Sequence, residues 1–160
     1  DALATDSAGK IPAIVHAIEQ VEDWFRLQFE TVVDLDATSP LRTPQDIINC
    51  VELLATQKVS NVITGASAHR IPEFTMVKVI DGVAKLAVQP KEAVNCRQQS
   101  TDYYDLNASI YAWNRDKFLA NPQLFYYDTA FYEMPRERSV DIDTLLDFQI
   151  VEMIMKNRLN

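Results

Sequence analysis

The chain has 160 residues, enough for one domain with a real core, and 48% hydrophobic against 24% charged residues is ordinary for a globular protein. A net charge of −8 argues against nonspecific nucleic-acid binding, and no apolar run is long enough to span a bilayer. Two cysteines make neither a disulfide framework nor a zinc site, and three glycines cannot write a G-x-G-x-x-G or Walker loop.

In chain order, Asp1–Asp6 carries neither the basic nor the apolar region of a signal peptide, so a reduced, cytoplasmic setting is expected. Residues 7–22 have helical spacing at Ile11, Ile14, Val15, Ile18 and Val21, and Pro12 places the start near Lys10. His16 falls inside this pattern and reads as structural. Thr31–Leu35 is a β-branched run that reads as a buried strand. A loop, Thr38–Thr43, leads to a helix capped by Thr43 and running to about Thr56. Asn61–Thr64 reads as the next strand. This alternation predicts right-handed crossovers and a parallel sheet.

The middle departs from that rhythm. Phe74–Ile80 and Val83–Val88 flank Asp81-Gly82, a hairpin signal. Residues 89–103 are polar and irregular. Then come a strand at Ala108–Trp113, a short helix near Asp116–Ala120, a strand at Thr129–Met134 and an amphipathic helix at Thr144–Lys156. The prediction is a single α/β domain over 1–160 with a β-rich excursion at roughly 68–105.

Three groups of residues bear on chemistry. Asp141 and Asp143, two apart in an extended chain, share a face and suit Mg²⁺. The competing reading is that Asp143 caps the last helix and Asp141 is solvated. Ser39 and Arg42 lie in a loop beyond a strand end, where open sheets bind ligands, although capping hydroxyls explain the loop equally well. Arg97, Asn107 and Tyr111 can fork onto a carboxylate and read hydroxyls, yet each is ordinary on a surface or strand. Leu124-Phe125-Tyr126-Tyr127 reads as core before pocket. No Ser/His/Asp or Cys/His grouping is legible, so covalent catalysis has no support.

Five stretches in order resemble the CMP-sialic acid synthetases (acylneuraminate cytidylyltransferases). They are Leu3-Ala4-Thr5-Asp6-Ser7-Ala8, Thr38-Ser39-Pro40-Leu41-Arg42-Thr43, Pro72-x-Phe74-x-Met76-Val77, Asn107-Ala108-Ser109-Ile110-Tyr111 and the run from Glu137 to Phe148 containing Asp141-Ile142-Asp143. The resemblance implies a three-layer Rossmann-like nucleotidyltransferase fold. It also implies transfer of CMP from CTP to a nine-carbon 2-keto sugar acid, with release of pyrophosphate. Asp141 and Asp143 would hold Mg²⁺. Arg97, Asn107 and Tyr111 would line the sugar-acid site, with Leu124 and Phe125 under the acyl group. The excursion would form a homodimer and carry Arg97 into the partner's site.

The chain departs from the family pattern in several places. The N-terminal A-x-x-x-A-R-x-G-S-[KQ] loop that meets CTP is not in this sequence, so the domain is expected to be truncated at its N-terminus. A non-catalytic sugar-acid-binding, dimerising fragment and use of another nucleotide are the alternatives. The loss of a strand would also expose a sheet edge and favour self-association. Asp36 stands where many relatives have Gln, and a carboxylate there repels the substrate's own unless it binds hydroxyl or amide hydrogens. Some relatives have Lys at the Phe74 position, so legionaminic- and pseudaminic-like acids stay open beside N-acetylneuraminic acid. Gly9-Lys10 is also unusual, and Lys10 is placed to meet phosphate.

Overall fold

The structure, a computed structural model, describes residue 5, residues 9–89 and residues 102–158. Helix α1 (Lys10–Phe25) begins with Pro12 in its first turn and stops where Arg26 turns left-handed at φ 56°. Strand β1 (Thr31–Leu35) and helix α2 (Pro44–Gln57) follow. The Thr43 hydroxyl accepts from the Asp46 N–H while Asp46 accepts from the Thr43 N–H, closing a capping box. Then come strand β2 (Asn61–Ser67), hairpin strands β3 (Val77–Ile80) and β4 (Val83–Leu86), and the long strand β5 (Tyr104–Asn114). Helix α3 (Arg115–Ala120), strand β6 (Ala130–Glu133), a 3-10 turn at Arg136–Arg138 and helix α4 (Leu145–Arg158) complete the order.

The main sheet has the order β1-β5-β2-β6. It is mixed, which corrects the expectation of a parallel sheet. Strand β5 runs antiparallel to both β1 and β2, while β2 and β6 are parallel. The reason lies in the excursion. The chain leaves at Ala68, re-enters beside it with an Ala68 N–H to Tyr103 carbonyl bond of 2.8 Å, and so returns in the opposite direction. Periodicity carries no information on strand direction. Strand β1 is half-buried rather than buried, because it forms one edge of the sheet among the described residues.

The layers follow from the two-residue alternation of strands. Val33, Val62, Ile110 and Ala112 face α2 and pack with Cys50 and Leu54. Val32, Ile63, Tyr111 and Trp113 face the other way and pack with Ile14 and Ile18 of α1 and Phe118 of α3. The result is a three-layer sandwich.

Three further expectations change. His16 is exposed on α1. The 124–127 cluster splits by alternation: Leu124 and Tyr126 pack on the core, while Phe125 and Tyr127 are exposed. Helix α4 does not bury an apolar stripe. Val151 is buried, but Leu145, Phe148 and Met155 are exposed, because only one side of the helix meets the described domain.

The β3–β4 hairpin is a separate two-stranded sheet. Both turn residues have positive φ, 52° at Asp81 and 78° at Gly82, as a type I′ turn requires. Val77, Val79, Ile80 and Val83 are all exposed.

Gly65 sits at a close approach in the main sheet. A Cβ there would lie 2.6 Å from the Asp105 carbonyl and 2.9 Å from the Phe131 ring. Gly65→Ala is therefore expected to destabilise the domain by about 2–3 kcal/mol. A lower urea midpoint with an unchanged slope checks it, and an unshifted midpoint contradicts it.

Candidate functional site

Strands β1, β2 and β6 all point the same way, so their carboxyl ends share one side of the sheet. Ligand sites of open α/β sheets gather beyond such ends. Most of the residues singled out from the sequence are found there.

Asn107 is the centre of this end. It is buried, and its Oδ1 accepts from the Thr64 hydroxyl at 2.7 Å and the Ser109 N–H at 3.1 Å. Its Nδ2 donates to Ser139 Oγ at 2.9 Å and Met134 Sδ at 3.3 Å. Its carbonyl accepts from Ser39 Oγ at 3.2 Å. The amide thus joins the 38–43 loop, β2, the end of β6 and the segment leading to Asp141. Around it β5 bulges, with register slipping between Ile63 and Gly65 and Ala108 held left-handed at φ 49°. That conformation is costly for a residue with a Cβ, and Thr64 supports it by accepting the Ile110 N–H at 3.0 Å.

The loop uses its own polar groups. Arg42 Nη1 donates to the carbonyls of Asp36 and Ser39, each at 2.6 Å, with the Ser109 carbonyl at 3.5 Å. Ser39 is fully buried. Both side chains shape the loop from within.

The segment carrying Asp141 and Asp143 is tied down twice. Arg138 makes a two-pronged contact with buried Asp46, at 2.6 Å and 3.0 Å. The Ile142 N–H donates to the Thr38 carbonyl at 2.9 Å, which brings the two motifs together. Helix α4 is capped by Thr144 and Asp147, whose side chains and N–H groups bond reciprocally. Asp143 is therefore not that helix's cap. The segment is irregular rather than a strand, so Asp141 is half-buried while Asp143 is exposed.

The residues present suit a hard cation. Asp141 Oδ1 is buried with no hydrogen-bond partner, and Asp143 adds a second carboxylate two residues on. Among the described residues no group of three His, Cys, Asp or Glu converges on one point. Such a pair fits an ion like Mg²⁺ that fills its shell with water and ligand phosphates.

Facing Asp141 is a charged group around Tyr111. Lys10 lies 2.7 Å from Asp34 and 3.0 Å from Asp36, and its ammonium sits 5.0 Å above the Tyr111 ring. Asp36 Oδ1 also accepts from the Thr38 hydroxyl at 3.0 Å and its N–H at 3.3 Å. The hydrogen bond from Lys10 holds the Asp36 carboxyl below its usual range. Burial opposes the charge on Lys10, but the two carboxylates outweigh it and raise its pKa. Burial raises the Tyr111 phenol, Lys10 opposes this, and Asp34, Asp36 and Asp141 add to it. These groups therefore act on one another.

Lys10 is engaged by carboxylates, where the sequence suggested a phosphate. Tyr111 is buried in the α1-side cluster, Leu124 packs half-buried on the same cluster with its carbonyl accepting from Asn61 Nδ2 at the amino end of β2, and Phe125 is exposed, so the structure does not bring this pair to the site. Arg97 lies outside the described residues, as does most of the first motif. A cleft of about 220 Å³ opens between Ser67, Asp105, Asn107, Arg136 and Ser139. Asp34 was not anticipated from the sequence. The signal was present, because Asp34-Leu35-Asp36 has the same spacing that singled out Asp141 and Asp143. Asp46 and Arg138 were missed as a pair because 92 residues separate them.

No family model matches the chain. It is 38% identical to post-translational flagellin modification protein B of Campylobacter coli, over 98% of this chain and 66% of that protein. It is 37% identical to CMP-N,N′-diacetyllegionaminic acid synthase of Campylobacter jejuni, over 96% of this chain and 64% of that protein. Identity to the N-acylneuraminate cytidylyltransferase of Escherichia coli is 26%, over 98% of this chain and 36% of that protein. The chain thus spans about two thirds of the first two relatives and about a third of the last. A solved 4-diphosphocytidyl-2C-methyl-D-erythritol synthase from Anaerococcus prevotii shares the fold, with a TM-score of 0.57 at 14% identity over 95% of this chain and 68% of that one.

The Asp46–Arg138 pair gives a stability prediction. Burial alone would raise Asp46, but hydrogen bonds from Arg138 and Thr43 outweigh it and hold its pKa below the ordinary 3.8. The folded value is thus below the unfolded one. The stabilisation is fully present above the unfolded value and is lost as pH falls from there through the folded one. Arg138→Met is expected to cost about 3 kcal/mol at neutral pH, because it leaves a buried carboxylate unpaired. Urea unfolding from pH 7 down to pH 2 checks both points: the variant should lose less stability than the parent across the acid limb, and parallel curves would contradict the pairing.

Proposed function

We propose that this chain, which belongs to the CMP-sialic acid synthetase (acylneuraminate cytidylyltransferase) family, is the sugar-acid and metal-binding part of a cytidylyltransferase. The whole protein would transfer CMP from CTP to a nine-carbon 2-keto sugar acid and release pyrophosphate. The observation that carries this reading is the 2.9 Å bond from the Ile142 N–H to the Thr38 carbonyl. It joins the loop bearing Asp36 to the segment bearing Asp141 and Asp143, opposite Tyr111.

Asp141 and Asp143 would hold Mg²⁺, which when bound screens the charge of the nucleotide phosphates. The chain's own contribution is positioning. Tyr111, buried beneath the Lys10 ammonium, would act as the floor of the site and hold that cation in place. Asn107 acts through the backbone it holds, since both ends of its amide are occupied within the protein. Arg97 belongs to the same reading as a carboxylate-binding residue supplied by a second copy. The exposed valines of the β3–β4 hairpin favour a homodimer built on that arm. A cytoplasmic setting goes with it.

The sugar acid is N,N′-diacetyllegionaminic acid on this reading, in preference to N-acetylneuraminic acid. Identity of 37% to a synthase of the former, against 26% to a cytidylyltransferase of the latter, supports that order. Asp36, where a carboxylate can accept amide or hydroxyl hydrogens, agrees with it.

The test is pyrophosphate release by the full-length protein with CTP, Mg²⁺ and a panel of nine-carbon sugar acids. Turnover is expected with the diacetylated acid and is expected to disappear with a chelator. Asp143→Asn should reduce turnover at least about a hundredfold while leaving the melting temperature unchanged, since Asp143 is exposed. No turnover with any sugar acid would overturn the function, and normal turnover in the variant would overturn the metal assignment.

A further inference from the structure

Three carboxylates, Asp34, Asp36 and Asp141, act on Tyr111 at the end where an anionic sugar acid is proposed to bind. That arrangement should repel the substrate. Of the cations at this end, Arg42 is turned inward onto main-chain carbonyls. Lys10 is different: its ammonium lies between Asp34 and Asp36, with the side chain 41% exposed toward solvent over the Tyr111 ring.

The position of Lys10 is locally unfavourable. It is the first residue of α1, where the helix dipole disfavours a cation, and the first turn has no acidic residue to compensate. Lys10 is therefore held by β1 and the loop that follows it, not by its own helix. Both Asp36 oxygens are engaged, Oδ1 by the Thr38 hydroxyl and N–H and Oδ2 by Lys10, which leaves one further acceptor site on Oδ2.

We infer that Lys10 is a specificity-determining residue of the sugar-acid site: its ammonium, shared by Asp34 and Asp36 above Tyr111, offsets enough negative charge to admit a substrate that is itself a carboxylate. This rests on the sugar-acid reading above. It accounts for the presence of Asp36 in a site for an anion. Asp36 keeps acceptor capacity for amide or hydroxyl hydrogens of the sugar, while Lys10 removes the repulsion that its charge would otherwise impose. The role of Lys10 is electrostatic positioning, and it transfers no proton.

The experiment measures equilibrium binding of N,N′-diacetyllegionaminic acid and of its uncharged methyl ester to the full-length protein by calorimetry. Lys10→Met should weaken binding of the acid about tenfold while changing the ester less than about twofold. Adding Asp34→Asn to Lys10→Met restores the original charge balance and should bring the acid back to within about threefold of the parent. Asp34→Asn alone should tighten the acid severalfold, which keeps the inference testable should Lys10→Met fail to fold. Equal binding of the acid by parent and Lys10→Met would overturn the inference. So would a parallel loss of acid and ester that Asp34→Asn does not repair, since that is the signature of a structural role. Absence of binding by the parent protein to both acid and ester would overturn the choice of this sugar acid, and the inference with it, while the function itself stands or falls on the turnover panel above.

Discussion

Asn107 has no spare hydrogen-bonding atom. Two donors reach its oxygen, its nitrogen reaches two acceptors, and its carbonyl receives a hydroxyl from the 38–43 loop. Four pieces of chain that are far apart in sequence meet at this one buried amide. Removing its side chain would take the acceptor from the buried Ser109 N–H and cut the ties to Thr64 and Ser139, in a low-dielectric interior where an unmet polar group costs more than a made bond returns. The bulge in β5 and the left-handed Ala108 depend on the same network. The architecture of the site is thus organised by a buried polar network that runs between the two apolar clusters of the sandwich.

A second constraint is electrostatic. The chain is acidic overall and gathers carboxylates at the end of the sheet where its proposed ligands are anions. Two devices answer this. Asp46 is neutralised internally by Arg138, which converts a buried charge into an anchor for the segment bearing Asp141 and Asp143. Asp34 and Asp36 are matched by Lys10 at the partly exposed rim. Asp141 differs, because one of its oxygens is buried and unpartnered. A carboxylate in that condition is suited to a cation.

Much of the element list was legible. Pro12, the Thr43 capping box and Asp81-Gly82 are local signals, and the elements begin or turn where these residues require. Other features were misread for physical reasons. Helix α4 shows apolar spacing, yet leaves Leu145 and Phe148 exposed, because spacing states which side could be buried and not whether anything covers it. Ser39 and Arg42 were legible as a loop of ligand-binding type, but their side chains turn into the protein, which no spacing rule reports. Asp34 was overlooked in an apolar strand although its spacing to Asp36 was in plain view.

The amino-acid sequence by itself determined the local structure, the positions of the motifs and the chemistry each could carry. Those depend on side-chain type and on the periods of helix and strand, which are properties of neighbours along the chain. Tertiary structure alone decided the direction of β5, the mixed sheet, the pairing of Asp46 with Arg138 and the sharing of Lys10 by Asp34 and Asp36. Each of these is a contact between residues distant in sequence. Its geometry is set by how whole elements pack, and many arrangements satisfy the same local pattern.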